Sequence, residues 1–319
     1  MAVEQKNRID VLDGLRGLAI ALVVIFHTWQ LSWLDFGNYS WLPRVGFVGV
    51  EVFFVLSGFC IAYPFLKGHT LSLGDFYRRR ALKILPSYLL ALGITALFFD
   101  NGTVASKPFL HILTHLTFTH NWSFETYYST LGPAWSLAVE VQFYLLFPLL
   151  WPLFKRQPII TAMALTLISL LARRWAWDVS GGETSTYTMR LNQLPGCLDL
   201  FACGMLAAWA VVRLQPGQAR ESADVPTAAP SPVRKWVASV LCIAALVGMY
   251  WLFRGYESVA YEKAGTPLWQ ARWRLVIGLL VGMVAVAGSL SWRPLQFVIA
   301  NPILRFLGFV SYNLYLWHK

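Results

Sequence analysis

Long apolar runs separated by short polar stretches make up most of this sequence. A helix needs about 20 apolar residues to cross the hydrocarbon core of a bilayer. The runs that approach this length predict membrane-spanning helices at residues 15–33, 46–66, 82–99, 133–154, 158–177, 194–212, 236–253 and 274–290. The pattern therefore predicts an all-α fold, a polytopic bundle of transmembrane helices.

Two further apolar runs are less regular. Residues 109–122 are long enough only for a short span or a re-entrant helix. A last span begins near Leu307, and because the chain reaches Lys319 inside it, we expect this closing span to be cut short. The long polar segment at residues 215–235 is rich in proline and predicts a flexible loop, so residues 1–319 are expected to form a single transmembrane domain.

Composition supports the same fold class. Hydrophobic residues make up 57% of the chain and charged residues only 13%, whereas soluble domains are about a quarter charged. These proportions exclude a soluble enzyme, a disordered chain and a coiled coil. The cysteines lie in apolar runs without a Cys-x-x-Cys pair, so neither a zinc site nor a disulfide framework is predicted.

The net charge of +10 is better explained by membrane topology than by a nucleic-acid partner, because cytoplasmic loops of membrane proteins collect lysine and arginine. The densest basic cluster contains Lys67, Arg78, Arg79, Arg80 and Lys83. We place this cluster in the cytoplasm. The N-terminus is then also cytoplasmic, since two predicted spans lie between them. The bias of the later loops does not decide whether residues 109–122 cross the membrane.

Ionisable residues inside predicted spans point to function, because isolated charges at bilayer depth are costly. They include Arg16, His27, Glu51, Glu140 and Asp199. Arg16 and His27 fall within about 20° of one helix face and roughly 16 Å apart along the axis. Arg16 then lies near the cytoplasmic mouth, where a cation suits phosphate or carbonyl binding. His27 lies about midway through the bilayer, where a neutral imidazole suits general base catalysis.

The intramembrane residues also have structural interpretations. His27 is alternatively a core histidine bonded to a neighbouring helix. Glu51 and Glu140 lie in the first turns of their predicted spans, so each either stabilises a helix N-terminus or pairs with His27 or Arg16 to orient the base. Asp199 is either the partner of a buried arginine or a direct participant.

The basic cluster and a group of histidines complete the candidate chemistry. Arg80 and Lys83 are three residues apart and share a helix face, so the cluster is either positive-inside charge or a cradle for a polyphosphate such as that of coenzyme A. His111 and His115 have metal-like spacing but lack the acidic residue of H-E-x-x-H. With His120 they fit a substrate-entry or interfacial role, and no metal is predicted.

Five stretches together resemble the acyltransferase-3 family of integral membrane O-acyltransferases. They are residues 8–27 with the spacing Arg16-x10-His27, residues 49–59 around Glu51, the basic residues 79–88, residues 135–148 with Ser136 and Glu140, and the closing residues 307–318. A single such motif would be a weak signal, whereas five in order over nearly the whole chain are specific.

The resemblance implies about ten spans, which favours counting residues 109–122 as a crossing. It implies an acyl-CoA donor, expected to be acetyl-CoA, and an acceptor hydroxyl on a carbohydrate or glycosylated molecule of the cell envelope. The expected location is a bacterial cytoplasmic membrane, where membrane lipid is a further expected partner. His27 is then the expected base, with Arg16, Glu140 and Glu51 as further catalytic residues. The expected coenzyme A site is formed by Arg78, Arg79, Arg80 and Lys83, without a metal.

Two positions depart from the family pattern. Glu51 stands where the family often has aspartate. Lys83 stands where the family usually has the second arginine of an Arg-x-x-Arg pair, which keeps the charge but loses bidentate phosphate geometry.

The alternative function is a transporter or flippase that uses the same intramembrane charges for substrate or protons. The sequence favours it less, because no inverted repeat or matched pair of broken spans is evident.

Overall fold

The computed structural model describes residues 9–32, 36–99, 102–215, 231–262 and 264–318. Most of the predicted polar loop at residues 215–235 lies outside this part of the chain, as do the N-terminal residues 1–8 and Lys319 at the end of the closing span.

The described residues are largely helical. The longer helices are α1 (Asp10–Leu31), α2 (Gly49–Leu66), α3 (Leu73–Ile94), α4 (Pro108–Leu116), α5 (Trp135–Arg156), α6 (Pro158–Ser180), α7 (Thr184–Leu191), α8 (Leu194–Leu214), α9 (Pro232–Tyr256), α10 (Gly265–Leu290), α11 (Arg293–Ile299) and α12 (Pro302–Trp317). Short helical turns occupy Gly37–Tyr39, Trp41–Val45, Gly46–Val48, Thr95–Phe99, Thr103–Ser106, His120–Trp122, Phe124–Tyr127 and Gly132–Ala134.

The predicted polytopic helical fold is confirmed. Within the described ranges, 8 helices are long and apolar enough to cross a bilayer, and the number rises to 9 if α11 and α12, which meet at a 43° bend, form one broken span. This is close to the expected number of spans.

The expectation that residues 109–122 add a crossing is wrong. Helix α4 has 9 residues, so it is only about 14 Å long and cannot cross a core of about 30 Å. The chain then turns at Phe118, whose backbone is in the left-handed region with φ of 55°.

Two helices begin earlier than the apolar pattern predicts. Helix α3 starts at Leu73, where the hydroxyl of Ser72 accepts a hydrogen bond from the Asp75 N–H and Asp75 faces the positive end of the helix dipole. Helix α10 starts at Gly265, which places Arg274 inside it. In both cases charged residues continue the helix beyond its apolar part, so the basic cluster from Arg78 to Lys83 is helical rather than part of a loop.

By internal contacts the chain divides into two compact units, of which the first comprises Met1–His69, Leu200–Glu262 and Arg272–Ser311. Its helices touch backbone to backbone at glycines. A Cβ atom on Gly17 would lie 1.9 Å from the carbonyl oxygen of Leu304, and one on Gly204 would lie 1.9 Å from that of Val55. Only glycine allows such approach, so these residues hold α1 against α12 and α2 against α8.

The second unit comprises Thr70–Asp199, Lys263–Ala271 and Tyr312–Lys319. Helices α5 and α6 are joined through Gln157 alone, and Pro158 occupies the first turn of α6, where its missing N–H costs no hydrogen bond. Aromatic rings pack α3 against α5: Phe76 stacks on Phe147 at 5.7 Å, and Phe147 stacks on Trp151 at 5.8 Å. This packing fixes the basic helix α3 beside α5.

Candidate active site

Arg16 is held by two side chains of the first unit. Its Nη1 lies 3.3 Å from Asp13 Oδ1, and its Nη2 donates to Cys60 Sγ at 3.1 Å. Asp13 is one turn away on α1, whereas Cys60 comes from α2. The half-buried guanidinium is therefore fixed in position between two helices.

The ring of His27 is oriented by its own helix. Its Nδ1 lies 3.0 Å from the carbonyl oxygen of Val23, one turn earlier on α1. Because a carbonyl can only accept, Nδ1 carries the proton, and in the neutral ring the lone pair lies on Nε2. In this tautomer Nε2 is the basic nitrogen of the ring.

Glu51 has a buried partner that sequence reasoning missed. Its Oε1 accepts a hydrogen bond from Arg274 Nε at 3.1 Å, and the two side chains are only 2% and 1% exposed. Glu51 lies in the first turn of α2, as predicted, and its partner Arg274 is neither of the residues that the sequence suggested. A role for Glu51 in orienting His27 stays a prediction.

Glu140 does not lie in a helix first turn, because α5 begins at Trp135 and carries no acidic residue there. Instead its Oε1 accepts a hydrogen bond from the Tyr144 hydroxyl, one turn further along α5. The guanidinium of Arg80 lies 5.2 Å from the centre of the Tyr144 ring and 5.1 Å from that of Phe76. Tyr144 thus connects a predicted catalytic carboxylate with the predicted coenzyme A cluster, although the sequence analysis gave it no role.

The other basic residues of the cluster lie on the exposed early turns of α3. Arg78 forms an exposed ion pair with Asp75 at 3.4 Å, and such pairs contribute little to stability. Arg79 and Lys83 are exposed, whereas Arg80 is half-buried. The positive end of the α3 dipole adds to this charge, so the start of the helix attracts anions.

Tyrosines of the closing stretch bind the other motif stretches of the second unit. Tyr312 donates to the carbonyl oxygen of Ile84 on α3 at 2.7 Å. The hydroxyl of Tyr315 lies 2.6 Å from Ser136 Oγ and donates to the Pro133 carbonyl oxygen at 2.9 Å. The stretches that look separate along the sequence therefore meet around the start of α5.

Asp199 is the partner of a buried arginine, one of the two interpretations left open above. Its Oδ1 lies 2.5 Å from Arg173 Nη2, and both side chains are buried. Arg173 Nε also donates to the Gly196 carbonyl oxygen at 2.9 Å. These bonds join α6 to the start of α8.

The three histidines lie together in the second unit. His111, His115 and His120 are buried, and the rings of His115 and His120 stack with centres 4.2 Å apart. Burial lowers the pKa of His115, and burial together with the neighbouring His115 lowers the pKa of His120 to about 3. Within the described ranges, no group of three or more His, Cys, Asp or Glu residues is arranged to hold a metal ion.

Comparison with known proteins identifies related chains. A family model described as an acyltransferase domain matches residues 9–319. The peptidoglycan O-acetyltransferase OatA of Listeria monocytogenes is 27% identical over 98% of this chain and 49% of its own length. YrhL of Bacillus subtilis, whose name gives the same activity provisionally, is 26% identical over 96% of this chain and 47% of its own length.

The chain thus spans about half the length of these curated relatives. No solved structure matches it significantly.

Proposed function

Because the chain belongs to the family of acyltransferase domains, we propose that it is a membrane O-acyltransferase that transfers an acyl group, expected to be acetyl, from acyl-CoA to a hydroxyl of a carbohydrate or glycosylated acceptor. The names of its relatives support O-acetylation and a peptidoglycan-type acceptor. The observation that carries the mechanism is the contact between the His27 ring and the Val23 carbonyl oxygen. Nδ1 of the ring is bonded to Val23, so Nε2 holds the lone pair in the neutral ring.

In the proposed reaction, Nε2 of His27 takes the proton of the acceptor hydroxyl as the hydroxyl oxygen attacks the thioester carbonyl carbon. The tetrahedral intermediate then expels the coenzyme A sulfur by breaking the C–S bond. The imidazolium returns its proton to the leaving thiolate, which restores the neutral ring. Arg16 is the proposed cation at the cytoplasmic mouth, where Asp13 and Cys60 hold its guanidinium in place to assist coenzyme A binding.

Coenzyme A is proposed to bind at the start of α3 through Arg78, Arg79, Arg80 and Lys83. Support comes from the density of cations there and from the helix dipole. Arg80 is the most constrained member, since its guanidinium packs on Tyr144 and Phe76. Glu140, which is bonded to Tyr144, is proposed as an orienting carboxylate.

The proposed location is a bacterial cytoplasmic membrane, with the basic end of α3 and the N-terminus in the cytoplasm. The lysine and arginine bias of the loops supports this orientation. An accessibility experiment tests it: single cysteines at residues 69 and 106 should be labelled from opposite sides in sealed cells. Labelling of both from the same side would contradict the topology.

The activity is tested with full-length protein in detergent. Protein incubated with acetyl-CoA and a peptidoglycan glycan fragment should release free thiol, and mass spectrometry should show an acetylated fragment. His27→Ala should abolish both signals, whereas His69→Ala, which changes an exposed histidine, should retain them. Acetylation at the wild-type rate by His27→Ala would refute the assignment of the base. Vectorial transport of the glycan without thiol release would favour the transporter.

A further inference from the structure

The second unit contains a cavity of about 560 Å³ that no step of the proposed mechanism uses. Its volume lies within the range of small-molecule sites, about 300–1,000 Å³. Its lining includes Trp122, Trp175, Gln142, Gln193 and Arg190. The wall thus combines two indole rings, two amides and a guanidinium.

The two tryptophans come from different segments and remain open to a ligand. Trp122 ends the turn His120–Trp122 and is 61% exposed, whereas Trp175 lies on α6 and is 55% exposed. The face of an indole carries negative charge density and attracts polarised C–H groups, which the axial hydrogens of a pyranose ring provide. Two such faces at one cavity therefore suit a saccharide.

The two amides are held so that their oxygens serve as acceptors. Gln142 Nε2 donates to the Phe118 carbonyl oxygen at 2.8 Å and to Asn121 Oδ1 at 2.9 Å. Gln193 Nε2 donates to the Asn121 carbonyl oxygen at 3.4 Å. Because backbone carbonyls only accept, these bonds settle which end of each amide is nitrogen. The amide oxygens are left to accept bonds from ligand hydroxyls.

Arg190 supplies the complementary donor. Its guanidinium carbon lies 5.3 Å from the centre of the Trp175 ring, so the cation packs on one of the two aromatic groups. Its Nε is buried and has no hydrogen-bond partner within the described ranges. A buried donor without a partner is costly, and a carboxylate or amide carbonyl on the ligand would satisfy it.

Chain direction within this unit places the cavity away from the basic cluster. Helix α3 is about 33 Å long, which is enough to carry the chain from its basic start to the other side of a bilayer core of about 30 Å. Helix α5 returns and α6 crosses again, so Trp175, 17 residues after Pro158, lies about 26 Å from the turn between them. In the proposed topology, Trp175 and the cavity that it lines are therefore nearer the membrane face opposite the one where the coenzyme A phosphates are proposed to bind.

We propose that this cavity is a saccharide-binding site, in which sugar rings pack on Trp122 and Trp175, hydroxyls donate to Gln142 and Gln193, and Arg190 binds a carboxylate or amide carbonyl substituent. Its assignment as the acceptor site rests on the proposed function, whereas binding itself does not. Tryptophans also anchor membrane proteins at the lipid interface. The test must therefore distinguish saccharide binding from a purely anchoring role of these tryptophans.

The test is equilibrium binding of triacetylchitotriose and of N-acetylmuramic acid to full-length protein in nanodiscs, measured by calorimetry without acyl-CoA. Saturable binding is expected. Trp175→Ala should raise Kd about tenfold, and Trp175→Phe should restore most of the affinity because it keeps an aromatic face. Trp251→Ala is the matched control, since Trp251 is 68% exposed on α9 and lies outside the cavity. Arg190→Gln should weaken the muramic acid more than the neutral trisaccharide.

The absence of saturable binding would overturn the proposal, and so would equal losses in Trp175→Ala and Trp251→Ala, which would indicate membrane anchoring. These outcomes are distinguishable from failure of the proposed function. If saccharide binds but no acyl transfer occurs, the function fails and the site stands. If transfer occurs and Trp175→Ala leaves the KM for acceptor unchanged, the function stands and the site fails.

Discussion

Acidification is expected to destabilise this protein through His120. The ring is fully buried, and its pKa is lowered to about 3 in the folded chain, whereas an unperturbed histidine titrates near pH 6.5. Below pH 6.5 the unfolded chain therefore binds a proton at His120 that the folded chain does not. The free energy of unfolding is unaffected above pH 6.5 and falls as the pH drops from 6.5 toward 3.

The size of the effect follows from these two pKa values. Each pH unit below the unfolded-state pKa lowers the free energy of unfolding by about 1.4 kcal/mol. At pH 5 the free energy of unfolding is therefore lower by about 2 kcal/mol than at neutral pH. His115, whose pKa is also lowered by burial, adds to the loss in the same direction. For domains of a few hundred residues, 2 kcal/mol corresponds to a fall in Tm of ~4–8 °C.

The assay is thermal unfolding of the full chain in detergent between pH 7.5 and pH 5. The comparison is between wild type, His120→Phe and His69→Gln. Phenylalanine keeps the volume and the stacking on His115 but does not titrate, so His120→Phe should lose much less stability on acidification. His69→Gln changes an exposed histidine and should keep the wild-type dependence. If His120→Phe and wild type lose the same amount, the reasoning about His120 is wrong.

Two substitutions test the other ionic groups. Glu51→Gln leaves Arg274 as a buried cation without its carboxylate, so the free energy of unfolding should fall by about 3–5 kcal/mol. The double variant Glu51→Gln with Arg274→Met should recover much of this loss in thermal unfolding. If it recovers none, the ion pair is not the cause. Arg80→Gln should raise the KM for acetyl-CoA about tenfold with a smaller change in kcat, because a phosphate contact is lost in the ground state as well as in the transition state. An unchanged KM would remove Arg80 from the donor site.

The spans were predictable because apolar length alone determines them, and most predicted limits lie within a few residues of the helix ends. The starts of α3 and α10 were not, since both helices begin in charged stretches before their apolar parts. The buried partners show a similar limit. Glu51 and Asp199 stand out in the sequence as isolated acids, but their arginines lie near the edges of apolar runs and resemble ordinary loop charge. Their pairing depends on helix packing that no local pattern encodes.

The cavity lined by Trp122 and Trp175 and the stack of His115 on His120 were harder still to predict from the sequence. The spacing of His111 and His115 predicted a shared face, which the structure bears out, but not the stacking of His115 on His120. Trp122, Trp175 and Arg190 match no motif. Trp175 and Arg190 are brought together by the short turn between α6 and α7, and the amides of Gln142 and Gln193, bonded to Asn121, hold the segment of Trp122 beside them.

The pair formed by Glu51 and Arg274 also constrains how the protein is made. The two residues are 223 positions apart, and bacterial and eukaryotic ribosomes add roughly 5–20 residues per second. Glu51 therefore waits about 10–45 s in the membrane before its partner is synthesised. During this interval its carboxyl group must be protonated, hydrated or covered by insertion machinery, so the final bundle assembles only after the later helices emerge.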